Sequence, residues 1–183
     1  MSSGSDTNGG VSGSINLMRL TAAADDCQLA DGSTTPVDAT PPANGFATNQ
    51  SGSWYDPGTS GQGIEVSITP PANGSNGALF GAWFTYDPSG ASDDPRKQNW
   101  FTLQGDLSGA AGVATVGIFS TLGGTLDDTP ATTTVPVGTA TITFSGCESA
   151  VVHYQFDDTS LAHAYRNLSG TLNFIKLGGC SGQ

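Results

Sequence analysis

Trp54, Tyr55, Trp83, Tyr86 and Trp100 are the residues of this chain whose types most suggest chemistry. Flat aromatic rings beside amide and carboxylate groups make a sugar-binding surface. The ring faces take the C–H faces of a pyranose, and Gln62, Glu65, Asn99 and Gln104 could bond its hydroxyls. The same rings also serve as packing, because aromatic side chains dominate β cores. The residues leave both uses open. Trp100 is expected outside, since Phe101 and Leu103 alternate onto the opposite face. The candidate ligand-binding set is Trp54, Tyr55, Trp83, Tyr86, Trp100 and Gln104.

Other chemistry is thinner. The pairs Asp93/Asp94, Asp127/Asp128 and Asp157/Asp158 offer carboxylate oxygens, but none has the alternating ligand spacing of an EF-hand loop, so they read as solvated turns. His153 alternates with Val152 and Tyr154 on a strand's outer face, His163 is read similarly, and no GxSxG elbow supplies a nucleophile. Glu65 and Asp106 would serve as a glycosidase pair only if the fold brought them together. The three cysteines include no CxxC, and with two histidines they do not make a zinc site. The expectation is a non-catalytic protein with no cofactor and no metal, an unrecognised hydrolase being the weakest reading.

These side chains must be held by strands. Only two Glu and two Lys occur in 183 residues, charged residues make up 11%, and Gly, Ser and Thr abound, which disfavours long helices. Ile64, Val66 and Ile68 alternate with polar residues. ALFGAWFTY (78–86) is apolar on both faces, with Phe80, Ala82, Phe84 and Tyr86 on one side and Leu79, Gly81 and Trp83 on the other. Such a strand is covered on both sides, or one face is a binding surface. Further strands are expected at 99–104, 114–118, 140–144, 152–156, 161–167 and 168–177. Eight strands with short loops predict an all-β, antiparallel domain, an up-and-down barrel or a two-sheet sandwich, the barrel slightly preferred because the strands read as a meander.

The net charge of −11 and pI of about 4.1 make nucleic acid and anionic membranes poor partners. No stretch has the apolar length of a membrane helix, so no membrane insertion is expected. Met1 is followed by SSGSDTNGG, which is not a signal peptide; export would rest on a segment upstream.

The chain also repeats itself. VSGSINLMRL (11–20) aligns without a gap on LSGTLNFIKL (168–177), with Ser12/Ser169, Gly13/Gly170, Asn16/Asn173 and Leu20/Leu177 identical and Arg19 against Lys176. A cysteine follows each copy. Residues 1–27 then read as the tail strand of a preceding unit, 28–50 as a Pro/Thr/Ala-rich linker, and 51–183 as a complete β domain. Cys27 becomes the counterpart of Cys180, which leaves Cys147 and Cys180 as a disulfide. The alternatives are three reduced thiols, or Cys27 taking one of the others.

The order SGSWYDPGTSGQGIEV, GAWFTYDPSG, NWFTLQG, VGTATITFSGC and SGTLNFIKLGGC, covering nearly all of 51–180, resembles β-rich modules of secreted proteobacterial proteins that are often appended behind other domains. The resemblance implies secretion, the β class and a repeated arrangement; it implies no activity and no catalytic residue. Two functions are therefore expected. The first is an extracellular or cell-surface interaction module for adhesion, contacting a surface glycan or polymer. The second is a self-associating subunit of a fibre or oligomer, assembled by donating the spare strand through Val11, Ile15, Leu17 and Leu20.

Overall fold

The computed structural model describes residues 46–69, 76–90, 93–94, 97–108, 111–125 and 131–178. The spare strand with Val11, Ile15, Leu17 and Leu20, most of the linker, Asp127, Asp128, Cys27 and Cys180 lie outside the described residues.

Eight strands follow one another: β1 (Gly52–Tyr55), β2 (Gly63–Thr69), β3 (Ala78–Tyr86), β4 (Gln98–Asp106), β5 (Val113–Leu122), β6 (Thr133–Ser145), β7 (Ser149–Phe156) and β8 (Ser169–Lys176). Each pairs antiparallel with the next, and β1 pairs with β8, so the sheet closes into an up-and-down barrel. Of the two expected architectures the barrel is the one formed. Closure follows from the period-2 pattern: Ile64, Val66 and Ile68, then Leu79 and Trp83, then Phe101 and Leu103, then Ala114, Val116 and Ile118 all point inward and are buried. In β6 the register shifts opposite Ile118 and Phe119, beside Pro136, which has no N–H to give a ladder.

One expected strand does not form. Residues 161–167 are not a strand; Ser160–Tyr165 is a 3₁₀ segment. Its buried residues are Ala162 and Tyr165, three apart, which is the 3₁₀ period and not that of a strand. Thr159 starts it, its side chain accepting from the Leu161 N–H and its carbonyl from Ala162. The eighth strand is instead β1, whose four residues are too few to show alternation.

The two barrel ends are closed differently. At one end Phe46, fully buried, meets Phe144 edge-on, and Trp54 lies 5.4 Å from Phe144. Gln50 accepts from Ala47 N–H and donates to the Gly146 carbonyl, fixing this plug across the barrel's end. At the other end Tyr165 swings in from the 3₁₀ segment, its ring 5.0 Å from both Phe101 and Phe156 and its hydroxyl donating to the Tyr86 carbonyl at 2.7 Å.

Candidate functional site

Strand register assembles an outer row that the sequence does not display. Ile175 of β8 stands opposite Tyr55 of β1, Tyr55 opposite Gly63 of β2, Gly63 opposite Phe84 of β3, and Phe84 opposite Trp100 of β4. Residues directly opposite share a face, so the five form one line across the outer wall, about 19 Å long at the usual strand spacing. Trp100 is 54% exposed and Phe84 52%, and Tyr86, two residues beyond Phe84, is 40% exposed.

Beside this row lies a groove of about 540 Å³ lined by Gly61, Phe84, Tyr86, Gln98, Asn99 and Trp100, with Thr85 beneath. Gly61 is where it is for two reasons. Its φ is +80°, which glycine adopts without strain, and a Cβ there would collide with the Tyr86 hydroxyl. The Tyr86 ring is thereby laid over the loop. The groove offers aromatic faces and the amides of Gln98 and Asn99. Next to groove residues in the chain, Asp87 stands 3.6 Å from Lys97. Hydrogen bonds from Ser89 are the main cause that holds the Asp87 carboxyl below its ordinary value, with Lys97 adding to them.

The expected ligand set therefore divides. Tyr55, Tyr86 and Trp100 face outward as one surface. Trp54 and Trp83 are corrected to the barrel interior: both are buried, Trp54 donating to the Gln50 carbonyl at 3.0 Å and Trp83 packed on Phe101, Tyr154 and Phe156. Alternation puts them there, since each neighbours an outward residue. Gln104 faces outward on β4 but stands four residues from Trp100, about 13 Å along the strand and outside the groove. Phe84 was missed as a ligand residue. The apolar outer face of 78–86 was its signal, and only the register reveals its pairing with Trp100.

The acid–base candidates are scattered. His153 lies on the outer face with Nδ1 2.8 Å from Thr171 Oγ1, as its alternation predicts. His163 is not on a strand; it sits in the 3₁₀ segment at φ 48°. Glu65 bonds Ser53, and its register row passes through Ala82 to Thr102, four residues from Asp106. That places the two carboxylates about 16 Å apart, beyond the reach of a glycosidase pair. Asp158 pairs with Arg166 at the surface. Among the described residues no three His, Cys, Asp or Glu gather into a metal-holding group, and no helix is long and apolar enough to cross a membrane.

By fold and site this is an eight-stranded up-and-down barrel with an aromatic row on its outer wall. No protein-family model, curated protein or solved structure matches the chain.

Proposed function

We propose that the barrel is a secreted, non-catalytic interaction module whose outer aromatic row contacts a neutral surface glycan or polymer. The observation that carries this reading is the directly opposed pair Phe84 and Trp100, both more than half exposed on a wall whose inward residues, Trp83 and Phe101, are already buried. Rings left in water at neighbouring positions form an apolar patch that folding does not use, and such a patch marks a contact site. The amides of Gln98 and Asn99 beside it suit hydroxyls. The charge of −11 disfavours acidic polymers. Retention on a panel of insoluble neutral polysaccharides tests it: Trp100→Ala with Phe84→Ala should weaken retention at least tenfold at unchanged melting temperature. Absence of retention on every polymer would reject the proposal.

A second reading, a fibre or oligomer built by strand donation, has its own support. In β8 Leu172 and Phe174 face the core, and the repeat places Ile15 and Leu17 at the matching positions of the spare strand. A closed barrel offers no complete free edge. Donation would therefore exchange for β8, which β1 grips at only two register pairs. Deleting residues 1–20 should then abolish assembly measured by light scattering; an unchanged mass would reject exchange.

The Cys147–Cys180 disulfide belongs to the same proposal. Cys147 lies in the β6–β7 turn, and the Lys176 N–H donates to the Glu148 carbonyl at 3.0 Å, so the end of β8 lies beside that turn. Thiol labelling of the denatured, unreduced chain should modify Cys27 alone.

A further inference from the structure

The core is not filled to both ends. β1 stops at Tyr55, opposite Ile175, while β8 continues up to Ser169, so residues 169–174 of β8 have no β1 partner among the described residues. Beside that stretch a cavity of about 220 Å³ opens into the barrel mouth. Its walls include Trp83, Tyr154, Phe156 and Tyr165, with Leu172 of β8 and Gln62 at the rim.

One buried polar atom beside it has no partner among the described residues. Thr85 donates its hydroxyl to Gln62 Oε1 at 2.7 Å, which fixes the oxygen of the amide toward Thr85 and leaves its N–H₂ to give. The Trp83 side chain, 3% exposed, has an indole N–H with no acceptor among the described residues. The Tyr154 hydroxyl occupies the space where a side chain at Gly170 would stand. Partial burial raises the Tyr154 pKa. Four rings and a leucine line the mouth, the amide of Gln62 and the hydroxyls of Thr85, Tyr154 and Tyr165 stand among them, and the unpartnered Trp83 N–H is a donor that an acceptor on an apolar body would satisfy.

We propose that this mouth is a second binding site, separate from the outer row, for a small uncharged aromatic molecule carrying a carbonyl-type acceptor. Size agrees: an apolar protein cavity of about 150 Å³ takes benzene, so about 220 Å³ takes a ring with a short substituent. The acceptor would enter among the Trp83, Tyr154 and Gln62 donors as the rings part around it. Charge agrees too, because an ion would lose its hydration against the ring lining with no countercharge in the walls but Asp87, which Lys97 already pairs.

The test uses acetophenone and its isostere without the acceptor, α-methylstyrene, titrated into the full chain. The three tryptophan indole N–H signals are followed by NMR and assigned with Trp→Phe variants. Acetophenone should shift the Trp83 signal saturably, leave Trp100 in place and bind about tenfold more tightly than α-methylstyrene. Leu168→Phe, at the mouth, should abolish the shift while the Trp54 signal is unchanged. Should that variant fail to fold, Tyr154→Phe keeps the ring and should weaken acetophenone several-fold. Trp100→Ala should leave acetophenone binding intact, which separates this site from the outer row. No Trp83 shift at the solubility limit, a shift at Trp100 instead, or equal affinity for the two probes would overturn the proposal.

Discussion

Replacing Gly63 by alanine attacks the barrel where its closure is thinnest. Gly63 stands opposite Tyr55 and Phe84 in the middle of the outer row. A Cβ there would lie 2.5 Å from the Trp54 carbonyl oxygen and 3.6 Å from the Tyr55 Cα. An ordinary contact between such atoms is about 3.5 Å. The obstacle is backbone, so β1 must retreat from β2 by most of an ångström; no rotamer can relieve it. β1 has four register pairs with β2 and two with β8. Losing or stretching two of these ladder bonds costs about 1 kcal/mol each. Shifting Trp54, which carries the Gln50 bond and the Phe144 contact, adds a further fraction. The sum is about 2–3 kcal/mol, or about 6–15 °C in melting temperature for a domain of this size. Gly124→Ala is the control: its Cβ would meet nothing within 4 Å, and its change should stay within about 0.5 kcal/mol. Thermal unfolding by circular dichroism reads both, and amide exchange should show β1 protection falling before that of β6. If Gly63→Ala melts within 2 °C of the parent, β1 does not lie against β2 in this register and the closure argument fails.

Adjacent rings on β3 and β4 should respond oppositely. Trp83→Ala should cost about 3–5 kcal/mol in denaturant unfolding, as for a buried ring, whereas Trp100→Ala should change stability by under about 1 kcal/mol. Tyr165 is pushed up to about 12, first by burial and then by the nearby Asp87 and Tyr154 charges, with Asn99 opposing. Its neutral form is the one the fold favours, so its contribution is complete below the ordinary phenol value near 10 and is lost as pH rises through about 12. An ultraviolet titration should show a late phenol that Tyr165→Phe removes. The same variant, having lost the bond to the Tyr86 carbonyl, should be less stable by about 1 kcal/mol at neutral pH. Asp158→Asn should alter stability by less than about 1 kcal/mol, because its Arg166 partner is half-exposed in water.

The strands longer than six residues were legible where alternation commits one face to the core, as in Ile64/Val66/Ile68 and Val152/Phe156, whereas the exposed Thr-rich start of β6, from Thr133, reads as loop in the sequence. Two elements were not. β1 has only four residues, and Gly, Ser, Trp and Tyr make no pattern at that length. Ser160–Tyr165 carries its buried side chains three apart, which in a short window also passes for irregular alternation. Within the candidate site, Trp100 could be placed outside from its own neighbours. The fate of Trp54 and Tyr55 could not, since adjacent aromatics on a strand must face opposite ways and the sequence does not say which is which. The pairing of Phe84 with Trp100 depends on β3–β4 register, set by the turn between them and by the commitment of Trp83 and Phe101 to the core.

One local event lies behind both candidate sites. β1 ends because Asp56 turns the chain: its side chain accepts from the Gly58 N–H at 2.8 Å, its carbonyl accepts from Thr59, and Pro57 has no N–H to continue a ladder along β8. The strand therefore stops with Tyr55 facing out, in line with Ile175 and Phe84, and the wall above it stays open beside residues 169–174 of β8. Had β1 run four residues further, its side chains would cover the mouth that Gln62 and Leu172 now border, and the loop carrying Gly61 could not lie under Tyr86. The Asp-Pro-Gly turn thus trades ladder bonds at the weakest seam for an outer groove and an inner mouth. It follows that a variant extending β1, such as Pro57→Val with Gly58→Thr, should raise the melting temperature while reducing binding at both places. Gain at either site together with greater stability would mean that the turn and the sites are unconnected.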